Sequence, residues 1–288
     1  MRDLHGKARE LGDGFTVARV LPQAGQRTVG PFVFFDYFGP VDFAPGKGID
    51  VRPHPHIGLA TITYLFDGSQ IHRDTLGSVQ EIVPGDVNWM TAGRGIAHSE
   101  RTAQEVRARG GRMHGIQSWV GLPTAHEEDP PSFQHVGKAD LPVLAQGGAT
   151  LRVVAGKAYG LASPVTVPMP IFYVDAQLKT GATVTLPDDY AERGAMVVGG
   201  TVTAGGAEHG DGAMMVFEPD ERAAITARTD ARVMLLGGAP LDGERHVWWN
   251  FVSSSRERIE RAKAEWKSFA YGKIPGDDVE FIPLPEDH

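Results

Sequence analysis

A chain of 288 residues is too long for one small core and suits two domains or one large β domain. Its net charge, 28 − 36 = −8 with histidine neutral, offers no general attraction to phosphate backbones or anionic membrane surfaces, so direct nucleic-acid binding is not expected. The count of zero cysteines removes disulfides, iron–sulfur clusters and thiolate zinc sites together.

The start Met1-Arg2-Asp3-Leu4-His5 leads into no apolar segment of the kind that marks a signal peptide, and no run is long enough to span a membrane. A soluble, cytoplasmic protein is the expectation. Gly 36 and Pro 20 are scattered at short intervals, which reads as many turns between short strands rather than disorder.

In chain order, Phe15 to Val20 alternates apolar and polar residues and predicts a strand. Gly30-Pro31-Phe32-Val33-Phe34-Phe35 predicts a buried one. Ile57 to Phe66 predicts a β-branched and aromatic strand, closed by the hairpin signal Asp67-Gly68. Gln70 to Asp74, Val79 to Val83 and Val87 to Met90 follow, separated by Leu76-Gly77 and Pro84-Gly85-Asp86. Gly115 to Pro123 is a further strand. From Ala125 to Gly148 the periodicity fades, and the domain connection is placed there, dividing the chain into residues 1–135 and 136–288.

The second half has strands at Pro170–Asp175, Ala182–Leu186, Ala195–Val198, Ala213–Phe217, Arg222–Ala227 and Arg232–Leu236, in an order that weakly repeats the first half. Among its histidines, His209 and His246 stand far apart with no partner at ligand spacing, so no metal is expected in that domain. Ser253 to Tyr271 predicts a helix. Ser254 and Glu257 fit a capping box, Ile259, Ala262, Trp266 and Phe269 form an apolar stripe, and Glu257 pairs with Arg261. The tail from Val279 to Pro285 is apolar enough to dock back as a strand or arm. This succession of short strands with one helix predicts an all-β protein of two antiparallel barrels or sandwiches.

The chemistry concentrates between Arg52 and Glu100. His54 and His56 are spaced i, i+2, as are His98 and Glu100, and side chains at that spacing share one face of a strand. Two such pairs on neighbouring strands can converge on one ion, giving three imidazoles and one carboxylate. Pro53 and Pro55 restrict the backbone around His54 and suit a rim or strand end. A buried polar cluster in an apolar barrel needs compensation, which a cation supplies. The donor set suits Fe, Mn, Ni, Cu or Zn. With four protein ligands, an octahedral ion keeps two positions for substrate or oxygen, whereas a tetrahedral zinc would be closed and structural.

Several motifs together carry a family resemblance. They are Arg52-Pro53-His54-Pro55-His56, His72-Arg73-Asp74-Thr75-Leu76-Gly77, the block from Pro84 to Glu100 ending His98-Ser99-Glu100, and His114-Gly115-Ile116-Gln117. The chain resembles the pirin family of the cupin superfamily, densely from about Gly14 to Leu122 and more loosely afterwards, where Trp248-Trp249-Asn250-Phe251-Val252-Ser253 is similar to a bacterial pirin C-terminus. The resemblance implies two cupin-type β-barrel domains (a bicupin), the first of them metal-binding. It also implies iron, usually Fe(II), on residues matching His54, His56, His98 and Glu100. One departure is Ala60, where many pirins carry a glutamate; this bears on pocket acidity and substrate preference.

Two functions follow from the resemblance. In the first, the protein is a dioxygenase acting with dioxygen on a phenolic flavonol such as quercetin. The metal serves as Lewis acid and template, Glu100 as general base, and His72 and Gln117 as supporting neighbours. In the second, the metal is a redox switch that governs contact with a protein partner, as in eukaryotic co-regulators.

Overall fold

The computed structural model describes residues 1–10 and 16–286. Gly14 and Phe15, where the resemblance and the first predicted strand begin, lie outside the described residues. The chain is built almost wholly from antiparallel strands, in two compact units, each assembled from separated segments. Both have the cupin-type sandwich architecture, and a helix lies near the C-terminus.

One unit comprises Met1–Ala8, Ala18–Tyr37 and Val136–Pro240. Its larger sheet runs Arg2–His5, Ala213–Phe217, Glu192–Gly199, Ala231–Gly238, Ile171–Leu178, Ala149–Ala158 and Val143–Gln146. The smaller runs Thr183–Thr185, Ala224–Ala227, Val202–Ala204 and Ala207–His209. Val153, Phe172, Val174, Val197, Met215 and Leu235 are among the side chains that fill its interior.

The second unit comprises Arg9–Val17, Phe38–His135 and Leu241–His288. Asp50–His56, Ile96–Arg101, Gln70–Asp74 and Val79–Ile82 form its smaller sheet in that order. Ser132–Val136, Val87–Thr91, Leu59–Asp67 and Gly111–Gly121 are consecutive neighbours in the larger one.

A segment of one unit ends at His135 and a segment of the other begins at Val136, but the grouping is not sequential, since the terminal segments 1–8 and 241–288 join the more distant part of the chain. The N-terminal strand Arg2–His5 pairs residue for residue with Ala213–Phe217, and the C-terminal helix packs with Ile57 and Ala97. Long-range pairing of this kind leaves no local mark on a sequence, whereas short connections do.

The Asp67-Gly68 turn also differs from the simple hairpin predicted. It links a strand of one sheet to a strand of the other. Gly68, at φ +85°, is needed there because a Cβ would lie 2.5 Å from the Arg112 carbonyl oxygen. The hairpin predicted around Leu76-Gly77 is present, with Arg73 opposite Val79.

The helix spans Arg256–Lys267, shorter than the predicted Ser253 to Tyr271, and its cap falls one residue later than predicted. Ser255 is the cap and accepts from the Arg258 amide at 3.2 Å, because Ser254 is engaged instead by the Glu127 carboxylate. Ile259, Ala262 and Trp266 are buried as expected. Arg261 reaches Glu128 and Glu265 rather than its predicted partner Glu257. The tail docks without forming a strand: the Ile282 amide donates to the Pro53 carbonyl at 2.8 Å, and the Trp266 indole donates to the Ile282 carbonyl at 3.0 Å.

Candidate metal centre

Two strands of the smaller sheet bring the histidines together. Ile96–Arg101 pairs antiparallel with Asp50–His56, placing His98 opposite His54 and Ile96 opposite His56. The register then slips, so that Glu100 faces Val51. The extra residue falls around Arg52 and Pro53, where proline cannot donate to the ladder. Against Gln70–Asp74 on its other side, the same strand is regular, with His98 opposite Asp74 and Glu100 opposite His72. His98 and Glu100 therefore share a face with His72 and Asp74.

His54, His56 and His98 are buried, and each offers a ligand atom within 4.8 Å of those of the other two. The Nε2 atoms of His56 and His98 approach to 3.1 Å. Every Nδ1 is occupied: that of His54 lies 2.8 Å from the Arg52 carbonyl oxygen, that of His56 3.2 Å from the Asn250 carbonyl oxygen, and that of His98 3.3 Å from His72 Nδ1. The carbonyls on the Nδ1 atoms of His54 and His56 fix the tautomer that leaves Nε2 as a lone-pair donor, which is how imidazole ligands are ordinarily held.

Burial reinforces this state. It pushes His54 down to about 4 from an ordinary 6.5, against the opposing pull of the Arg52 carbonyl. His56 and His98 also lie well below the ordinary value, first because of burial and then because of the neighbouring imidazoles. Three imidazoles held neutral by burial converge with ring nitrogens turned toward one another. The group is able to hold a metal ion, and its chemistry fits one.

Glu100 lies outside that trio. Its buried carboxylate is 3.1 Å from the Thr63 hydroxyl, which is itself 2.8 Å from the Gln117 side-chain oxygen position. The hydroxyl has one proton, so it can donate to Glu100 while accepting from a Gln117 amide turned to present its NH2. Burial raises the Glu100 pKa, with His72 and Thr63 acting in opposition. Ala60 is wholly buried, facing Thr91 and Val120 on either side.

Two supports were not legible beforehand. Asn250 sits in the tight connection between His246–Trp248 and Phe251–Ser253, next to Trp249 at φ +51°. Nothing local in the sequence marks that carbonyl as a partner for His56. Phe133, stacked on His72 with centroids 4.3 Å apart and an interplanar angle of 11°, was likewise hidden in the segment of faded periodicity. Asp74 did carry a signal, since it stands i, i+2 from His72.

Comparison with known proteins places this arrangement. Residues 14–120 match the pirin family, and residues 173–272 match the pirin C-terminal cupin domain. A pirin-like protein of Caulobacter vibrioides is 51% identical over 284 residues, covering 97% of each chain. The chain belongs to the pirin family. Human pirin is 29% identical over 91% of this pirin chain and 89% of its own. A crystal structure of quercetin 2,3-dioxygenase from Acinetobacter baumannii superposes with a TM-score of 0.91 at 33% identity, covering 100% of this chain and 96% of that one. Pirin membership accounts for the cupin-type sandwiches. Among the described residues, no helix is long and apolar enough to cross a membrane.

Proposed function

We propose that this pirin is a metal-dependent dioxygenase acting on a flavonol-like phenolic substrate, with His54, His56, His98 and Glu100 as the metal ligands. The observation that carries this reading is the convergence of three buried, neutral imidazoles, each held by a partner on Nδ1, with a buried carboxylate two residues along the same strand. The resemblance to a quercetin 2,3-dioxygenase at 33% identity supports the substrate class. Fe(II) is the first choice of ion, with Mn, Ni, Cu or Zn as the alternatives this donor set accepts.

A divalent ion held there supplies Lewis acidity toward a phenolic hydroxyl and a redox-capable centre for oxygen chemistry. Released from the ion, Glu100 would take the hydroxyl proton on its carboxylate, which burial makes more basic than an exposed one. Thr63 keeps that carboxylate oriented through its hydroxyl, and Gln117 keeps Thr63 oriented in turn. The closely packed imidazoles and the edge-on Trp119 ring, 5.0 Å from His56, keep bulk water off this side of the site.

The test is to load the purified chain separately with Fe(II), Mn, Ni, Cu and Zn and to follow oxygen uptake with quercetin and a panel of phenols. Uptake with at least one metal and a flavonol is expected. No uptake with any combination, beside a reversible redox change of bound iron, overturns the dioxygenase reading in favour of a redox-dependent regulator of a protein partner.

A further inference from the structure

The three histidines are not held alike. Backbone carbonyls hold His54 and His56, and a carbonyl can only accept. His98 is held by another imidazole, which can either donate or accept at the facing nitrogen. His72 Nδ1 lies 3.3 Å from His98 Nδ1, and with His98 Nε2 given to a metal the proton between them must be carried by His98. His72 must then be the tautomer protonated at Nε2. That nitrogen lies 3.0 Å from Asp74 Oδ2.

Asp74 is fully buried, and its second oxygen is already committed. Oδ1 accepts from the Leu76 amide at 2.9 Å and from the Ser78 amide at 3.0 Å. The carboxylate therefore cannot rotate without losing two hydrogen bonds, and Oδ2 remains aimed at His72. The His72 ring is kept in plane by Phe133 stacked on its face.

We infer that Asp74 and His72 form a relay that sets the tautomer of His98, making both of them positioning residues for the metal site. This rests on the metal reading above, but not on turnover or on the substrate. A capping role for Asp74 in the turn at Leu76-Gly77-Ser78 is the simpler account of its burial, and the two accounts diverge for one isosteric change. In Asp74→Asn the amide oxygen can still accept from Leu76 and Ser78, so the turn survives. The NH2 group then replaces Oδ2 and donates to His72 Nε2. His72 flips to the Nδ1-protonated tautomer, and two N–H donors oppose each other across 3.3 Å. His98 must turn away or surrender its proton arrangement, and its Nε2 leaves the trio. The same inversion by an isosteric amide is known to disable a histidine held by a buried aspartate in serine proteases.

The experiment measures Zn(II) affinity by competition with a chromophoric chelator, on the full chain, for wild type, His98→Ala, Asp74→Asn, His72→Leu and the His72→Leu/Asp74→Asn double variant. Loss of a partner to a metal-binding histidine costs about 10- to 100-fold in affinity, and Asp74→Asn is expected in that range with an unchanged far-ultraviolet circular dichroism spectrum. In the His72→Leu background the further change at Asp74 should have no effect, because the link through which it acts is gone.

Should Asp74→Asn fail to fold, long-range proton–nitrogen NMR on the zinc-loaded wild type decides instead. His98 is expected as the Nδ1–H tautomer and His72 as the Nε2–H tautomer. Affinity of Asp74→Asn within twofold of wild type, where His98→Ala abolishes binding, overturns the relay and leaves the metal reading standing. His72 protonated at Nδ1 does the same. Failure of the wild type to bind zinc, cobalt or iron overturns the metal reading and the relay with it.

Discussion

Glu127→Ala tests how the distant C-terminal hairpin is tied to the metal centre. Glu127 is 5% exposed, and its carboxylate accepts from the Ser253 hydroxyl at 3.1 Å, the Ser254 amide at 2.9 Å and the Ser254 hydroxyl at 2.9 Å. It also lies 2.7 Å from Nε of Arg245, off the N–H direction, so that contact is ionic rather than a directed hydrogen bond. Removing one partner of a buried pair leaves an uncompensated charge, at a cost of about 3–5 kcal/mol. Arg245 keeps Asp242 and the Leu122 carbonyl, which favours the lower end. Ser253 is 1% exposed and its hydroxyl loses its acceptor, adding about 1 kcal/mol, while exposed Ser254 turns to water.

A loss of about 4 kcal/mol is a large part of the 5–15 kcal/mol typical of a domain. It is read by urea unfolding followed through tryptophan fluorescence. Native-state hydrogen exchange of the Val252 amide, bonded to the Ile57 carbonyl at 3.2 Å, reports the hairpin itself. Glu127→Gln keeps the acceptor and loses the charge, so it should fall between wild type and Glu127→Ala. Because the same hairpin delivers the Asn250 carbonyl to His56, zinc affinity should drop in parallel. A loss under about 1 kcal/mol, or identical behaviour of the two variants, refutes the account of Glu127 as the buried counter-charge that anchors this segment.

Other expectations are simpler. His98→Ala should remove most bound metal while leaving the unfolding transition nearly in place; metal content equal to wild type by elemental analysis would contradict the ligand set. Gly58→Ala places a methyl group 1.9 Å from the Val252 carbonyl oxygen at a backbone φ of +66°, so the chain must move between His56 and Leu59. A destabilisation of about 2 kcal/mol or more, with weakened zinc binding, is expected, and a variant as stable as wild type would count against the close approach.

Acid should destabilise the metal-free protein in a defined window. His54 sits at about 4 when folded, against 6.5 ordinarily, so the unfolded chain takes up the proton first as pH falls. Stability is fully present above about pH 6.5 and declines toward about pH 4, by about 3 kcal/mol for this group alone. The gradient should weaken in His54→Gln; an equal gradient in that variant would refute the attribution.

Much of the candidate site could be read without coordinates. The i, i+2 spacing of His54 with His56 and of His98 with Glu100 is a local property of strands, and both pairs do lie on strands, Asp50–His56 and Ile96–Arg101, although alternation marked neither of those two. The turn residues around Leu76-Gly77 and Pro84-Gly85-Asp86 were equally legible, because a turn is fixed by a few neighbouring backbone angles. The helix stripe of Ile259, Ala262 and Trp266 follows the same logic, although the choice of Ser255 over Ser254 as cap depended on a carboxylate 127 residues away in sequence.

What tertiary structure alone decided is which distant groups meet. The pairing of the N-terminal strand with Ala213–Phe217, the slip at Pro53, the separation of Glu100 from the imidazole trio, and the Asn250 carbonyl behind His56 all join residues far apart in the chain. Residue types and spacings determine which side chains share a face, because strand geometry repeats every two residues. They carry no record of register between strands or of which carbonyl a loop turns inward, since those depend on packing across the whole unit.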